Sequence, residues 1–182
     1  MTTRQIRIEG MHQRHPGLTA ALSQSYAEAA AVCFARHHQS PVTLSLQRGM
    51  SIEYGSLEYP APDARVQAAY ANEIDATECG AYSVCLAAIE VVEGLVAVRR
   101  AETLTGADWY ISRNDQDRDD DLENSLRLEV SGTSNGTSSD VQRRLQEKVA
   151  QAARGASNLP ALAAVVGFKV LEVAIAPIAE AT

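Results

Sequence analysis

The chain has 182 residues, 46% hydrophobic and 21% charged, with a formal net charge of -7 and a pI near 5.1. That length suits one domain, or one domain with an added subdomain, able to bury roughly 70% of the surface its unfolded form exposes. The acidic balance excludes a protein that coats nucleic acid by bulk electrostatics, so any such surface must be local or supplied by a partner. No apolar run reaches the roughly 18 residues of a membrane span, and Met1–Gly10 carries Arg4 and Arg7 without the apolar stretch of a secretory signal. A cytoplasmic protein with no membrane partner is the expectation.

In chain order, His15-Pro16-Gly17 punctuates the start. Leu18 to His38 reads as an Ala-rich helix, with Leu22, Tyr26, Ala29, Ala30, Cys33 and Phe34 at helical spacing. Ser40-Pro41 ends it. Val42–Leu46 alternates and reads as a strand, Ile52–Tyr59 as a second, closed by Pro60 and Pro62. Arg65–Glu93 is largely helical, with a break expected near Gly80 and a stop at Gly94. Leu95–Ala101 and Ala107–Ser112 read as strands flanking the Thr105-Gly106 turn. An acidic stretch, Asn114–Asn124, precedes a third strand, Ser125–Ser131. There Leu126, Leu128 and Val130 share one face, and Arg127, Glu129 and Ser131 the other, polar one. Gly132–Ser139 is a Gly/Ser-rich loop. Asp140 is placed to cap a helix running to about Arg154, which Gly155 ends. Ala161–Phe168 is a continuous apolar strand, the pattern of a strand covered on both faces, and Leu171–Ile178 is a last extended segment. Residues 65–182 thus form a core of helix, three strands, helix, strand, and residues 1–64 extend the same unit with a helix and strands.

Three cysteines, Cys33, Cys79 and Cys85, form no CxxC pair. Structural zinc and a disulfide framework are both disfavoured. Cys33 with His37 and His38 reads as the apolar face and the C-terminal turn of one helix. The histidines His12, His15, His37 and His38 all lie early, and no GxSxG is present, which leaves a nucleophile triad without support. Asp117-x-Asp119-x-Asp121 imitates the start of a calcium loop but lacks its Gly and closing Glu. The Gly132–Ser139 loop lacks a P-loop lysine, though its amides could meet a phosphate at the following helix N-terminus.

Three acidic residues fall at informative places. Glu78 lies on the helix before the first core strand, Asp108 opens the second, and Glu129 sits on the third. Asp108 and Glu129 come from consecutive strands and can lie side by side. Two adjacent carboxylates repel unless protonated or bridged by a cation. Oxygen ligands suit Mg²⁺ or Mn²⁺, which polarise phosphate and activate water. Each residue also has a plain reading: Glu78 as a solvated helix residue, Asp108 as a turn residue bonding local amides, Glu129 paired with Arg127 on an exposed face, Lys148 as a surface lysine.

Asp108 followed by Leu128-Glu129-Val130-Ser131, in this strand order, resembles the PD-(D/E)xK (restriction-endonuclease-like) nuclease superfamily over roughly Arg65–Phe168. The resemblance implies an αβββαβ core and a catalytic set of Glu78, Asp108 and Glu129 binding Mg²⁺ or Mn²⁺. It departs at two places. Ser131 stands where that superfamily has Lys, and Ala107 where it has Pro. Members that move the basic residue to the following helix point to Lys148, with Arg144 one turn earlier as the alternative. Segments 76–82, 105–110 and 128–132 also resemble those of an uncharacterised bacterial protein family. Two functions follow. One is a divalent-metal-dependent nuclease hydrolysing phosphodiester bonds of DNA or RNA. The other is a catalytically inactive module that assembles as a homo-oligomer or with a protein partner through the Leu18–Phe34 helix and an exposed strand edge.

Overall fold

A computed structural model describes residues 3–102, 105–113, 122, 124–153 and 159–178. Among these, the chain is mixed α/β, with eight strands in one sheet and four α-helices. The elements are β1 (Arg4–Ile6), α1 (Ala20–Ala35), β2 (Val42–Arg48), β3 (Ser51–Leu57), α2 (Ala64–Ala69), α3 (Glu73–Glu93), β4 (Leu95–Arg100), β5 (Trp109–Arg113), β6 (Leu126–Thr133), α4 (Ser138–Ala153), β7 (Ala161–Gly167) and β8 (Glu172–Ile178). A short 3-10 turn, Met11–Gln13, precedes α1.

The sheet order is β1-β3-β2-β8-β7-β6-β5-β4. β4, β5 and β6 form an antiparallel meander. α4 then carries the chain over to β7, parallel to β6. β8 returns antiparallel to β7 and lies parallel to β2, so the N-terminal strands join the same sheet through β8.

Two layers of helix cover the sheet. α1 and α3 pack on one face over a core that includes Phe34, Leu86, Ile89, Trp109, Leu128 and Phe168. α4 packs on the other through Val141, Leu145 and Ala152. β7 explains its apolar run: Leu162, Ala164 and Val166 enter the first core, while Ala161, Ala163 and Val165 enter the second.

The long helical segment breaks near Tyr70–Asn72, not at Gly80. Asn72 caps α3, its side-chain oxygen accepting from Ile74 N at 3.1 Å, which fixes the start there. Gly80 stays helical because α1 lies against it; a Cβ there would stand 3.1 Å from the Cα and N of Ala30. Gly94 ends α3 in the left-handed region, with φ 68°. α4 is capped by Thr137, not Asp140. Asp140 accepts from Thr137 N at 2.9 Å while its own N–H reaches Thr137 Oγ1 at 3.3 Å, a reciprocal capping box. The polar face of β6 is also not exposed: α4 covers it, and Arg127 and Glu129 are 5% and 3% accessible.

The edge strand β4 is covered along its middle by the His15–Gly17 segment. Gly17 N–H donates to the Ala97 carbonyl at 2.9 Å, and Ala97 N–H donates to His15 Nδ1 at 3.0 Å. The approach is close enough that a Cβ on Gly17 would stand 2.8 Å from Arg99 N. His15 is fully buried; because its Nδ1 accepts, its Nε2 carries the proton and donates to Glu90 Oε2 at 3.0 Å.

Candidate functional site

Asp108 sits one residue ahead of β5, two residues past Gly106, which adopts φ 66°. Its N–H donates to the Leu128 carbonyl at 2.8 Å, and its Oδ2 accepts from Val130 N at 2.8 Å. The carboxylate therefore extends the β5–β6 ladder by one bond, which locks its direction. Its Oδ1 accepts from the Tyr82 hydroxyl at 3.1 Å.

α3 supplies the other half. Glu78 and Tyr82 are four residues apart and so share a helix face. Glu78 Oε1 lies 3.0 Å from the same Tyr82 hydroxyl. Arg100, at the end of β4 and in register with Trp109, donates to that hydroxyl at 2.9 Å and lies 3.8 Å from Asp108 Oδ1. Its guanidinium stacks over the Tyr82 ring at 4.4 Å and the Trp109 ring at 5.0 Å. Burial pushes the Tyr82 phenol well above its ordinary range. The Arg100 hydrogen bond pulls the other way, and the charges of Asp108 and Glu78 add to the rise.

A neutral phenol has one proton. With Arg100 donating to its oxygen, Tyr82 satisfies one carboxylate at a time. The other is left with an oxygen–oxygen contact at hydrogen-bond distance, which a shared proton or a cation would relieve.

Glu129 lies on the opposite face of β6, under α4. Its Oε2 is 2.8 Å from Lys148 Nζ. Arg127 does not pair with it; Arg127 instead donates to the backbone carbonyls of Leu159 at 3.1 Å and Ala152 at 3.3 Å, tying β6 to the end of α4. Arg144 reaches the Ser131 hydroxyl at 3.4 Å.

A cavity of about 720 Å³ opens beside these groups, and Glu129 is not among its lining residues. Glu78, Tyr82 and Asp108 line it together with Lys148 and Arg144, and Gly132 lies among them. Of the four expected site residues, Glu78 and Asp108 are thus brought together through Tyr82, and Glu129 and Lys148 are brought together as an ion pair. The two pairs are not one cluster: among the described residues, no three His, Cys, Asp or Glu side chains converge as a metal group. Glu78 and Asp108 match in number what Mg²⁺ takes from protein, one or two carboxylates with water and substrate phosphate completing the shell. Glu129 has its Oε2 taken by Lys148.

In the loop before α4 two amides are already engaged. Thr137 N is taken by Asp140 and Gly136 N by Thr133 Oγ1 at 3.0 Å. The Asp140 carboxylate, held well below its usual range chiefly by the Thr137 amide and then by Arg143, also repels an anion there. The calcium-like Asp117, Asp119 and Asp121 lie outside the described residues.

Sequence reasoning left Tyr82 and Arg100 out of the candidate site. The signal for Tyr82 was its four-residue spacing from Glu78. That for Arg100 was its position opposite the residue after Asp108 across the Thr105-Gly106 turn. Comparison with known protein families, with characterised proteins and with solved structures finds no match to this chain.

Proposed function

We propose that the chain is a divalent-metal-dependent phosphodiesterase acting on DNA or RNA, a nuclease on a restriction-endonuclease-like frame. The observation that carries this is the convergence of Glu78 and Asp108 on one phenolic oxygen, in a cavity also lined by Lys148 and Arg144. The element order α3-β4-β5-β6-α4-β7, with β7 parallel to β6, supports the frame. In this reading Glu78 and Asp108 hold Mg²⁺ or Mn²⁺, which when bound polarises the phosphate and lowers the pKa of its water. Lys148 stands in for the lysine that Ser131 replaces. Glu129 is its counter-ion and fixes its direction, and Lys148 and Arg144 bind the phosphate and stabilise its developing charge. Tyr82 and Arg100 set the spacing of the two carboxylates.

The test is titration of Mn²⁺ into the wild type and Asp108→Asn, followed by Mg²⁺-dependent cleavage of single- and double-stranded DNA and RNA. Binding and cleavage in the wild type, both lost in Asp108→Asn, support the assignment. Cleavage retained in Asp108→Asn overturns the site. Absence of metal binding and of cleavage in the wild type favours the second reading, an inactive module for protein assembly. That reading rests on the β2–β3 hairpin, where Met50, Ile52 and Tyr54 stay exposed. One face of α1 packs against α3, and the middle of the edge strand β4 is covered by His15–Gly17.

A further inference from the structure

β5 and β6 do not end together. β5 starts at Trp109, and Asp108 gives the ladder its last bond through its side chain, accepting from Val130 N–H at 2.8 Å. β6 runs on to Thr133. Along a strand the backbone groups of successive residues face opposite neighbours. Arg127 N–H donates to the Pro160 carbonyl, and the Thr133 carbonyl accepts from Phe168 N–H, so the odd-numbered residues of β6 face β7. The Leu128 carbonyl and Val130 N–H face the other way, toward Asp108. By the same alternation the Val130 carbonyl, Gly132 N–H and Gly132 carbonyl face the side that β5 does not reach. None of the three has a hydrogen-bond partner among the described residues.

This open edge borders the cavity of about 720 Å³, which Val130 and Gly132 line. α3 forms one wall. Ile74, Thr77 and Ala81, spaced three and four residues apart, share a helix face there. Thr77 and Ala81 lie close against Gly132, where a Cβ would stand 3.0 Å from Ala81 Cβ. Ile74 is 77% exposed, an apolar side chain presented to the cavity from the first turn of α3. Arg144 and Lys148 line the cavity from α4, on the other side of the sheet. The slot left by the missing strand thus combines backbone donors and acceptors on its inner edge, apolar surface on one wall and cations on the other.

We infer that this slot holds one unpaired nucleobase, adenine by preference, so that the strand cut is single; the inference rests on the nuclease reading above. Along the edge the groups run acceptor, donor, acceptor. The Watson–Crick edge of adenine offers the amino N–H, then the ring acceptor N1, then a C–H. It therefore meets the Val130 carbonyl and Gly132 N–H, and sets no lone pair against the Gly132 carbonyl. Cytosine offers the same first pair but sets its own carbonyl against that last acceptor, an unpaired contact that a polar site rejects. In a duplex these atoms are already paired, so the base reaches the edge only from an unpaired strand. Ile74 covers one face of the ring, and the flanking phosphate stays with Lys148 and Arg144. An extended peptide fits less well, because the open edge is too short for a strand and the two cations gain no anion.

The test is fluorescence anisotropy of short labelled adenine homopolymers, DNA and RNA, with the full chain at about 0.15 M salt, where distant surface charges are screened. Ca²⁺, which also takes carboxylate ligands, replaces Mg²⁺ for the binding step. Two substituted strands are compared. 1-Deazaadenine removes the ring acceptor that Gly132 N–H would meet, and 7-deazaadenine alters only the opposite edge of the base. Binding weakened tenfold or more by 1-deazaadenine and by Ile74→Ser, and unchanged by 7-deazaadenine and by Met50→Ser at the β2–β3 turn, supports the inference. Equal binding of the adenine strand, its 1-deaza form and the paired duplex overturns it, as does absence of binding to every strand. Cleavage of the same strands in Mg²⁺ separates the two readings. Cleavage indifferent to 1-deazaadenine and to pairing overturns this inference and leaves the nuclease standing. Base-discriminating binding without cleavage supports the base site and counts against the nuclease.

Discussion

Glu129 is an ionised group 3% accessible to solvent, and Lys148 is what makes that tolerable. Removing the cation strands the carboxylate. Lys148→Met should lower stability by about 2 kcal/mol, below the roughly 3–5 kcal/mol of a fully buried pair because water still reaches the ammonium. Urea unfolding checks this, and adding Glu129→Leu should recover most of the loss. A second buried pairing makes stability depend on pH. Burial raises the Glu90 carboxyl, but hydrogen bonds from His15 and Arg14 outweigh it and hold it below its ordinary value. A carboxylate depressed in the folded state contributes stability that is fully present above the unfolded value and is lost as pH falls through the folded one. Thermal unfolding across pH 6 to 3 should therefore show a steeper acid decline in the wild type than in Glu90→Gln. Of these roles the sequence singled out Glu129 and Lys148 separately, through the resemblance, and offered Arg127 as the partner of Glu129. It gave no notice of Glu90, because its partners are 75 and 76 residues away.

At the scale of elements, local chemistry set most boundaries and tertiary contact set the exceptions. Strand alternation, Pro41 and Gly94 were legible because each acts within a few residues. Gly80 was misread as a break because its reason lies on another helix. There an added methyl would ordinarily favour the helix by about 1 kcal/mol. Here it would meet the backbone of α1 at 3.1 Å. Gly80→Ala should therefore destabilise, by about 1 kcal/mol net, through forced separation of α1 and α3. Denaturant unfolding decides the sign; a more stable variant would show that α1 can retreat. The buried polar face of β6 was illegible for a related reason: alternation tells which residues share a face, not whether a helix later covers it. For α4, Thr137→Val removes the cap oxygen and should cost about 1 kcal/mol.

For the whole molecule, the sheet has two edges, and each is treated differently. β1 is only three residues long, and β4 carries the His15–Gly17 segment. An uncovered edge is a template for another chain. Gly17→Val, whose Cβ would collide with Arg99 N at 2.8 Å, should lift that segment. The expected outcome is concentration-dependent association by light scattering, absent in the wild type at the same concentration. Topology was legible only in its local part. The β4-β5-β6-α4-β7 order followed from element succession, whereas the joining of β2 to β8 could not, because residues such as Ser45 and Glu172 meet across most of the chain. That joint has a consequence during synthesis. β2 and β3 leave the ribosome early, yet the strand that seats them in the sheet is the last of the eight described strands to emerge. The free edge of β2 must therefore wait, its backbone unpaired on that side, until β8 arrives. Such distant pairing slows closure of the sheet and prolongs exposure of its N-terminal third to chaperones and proteases.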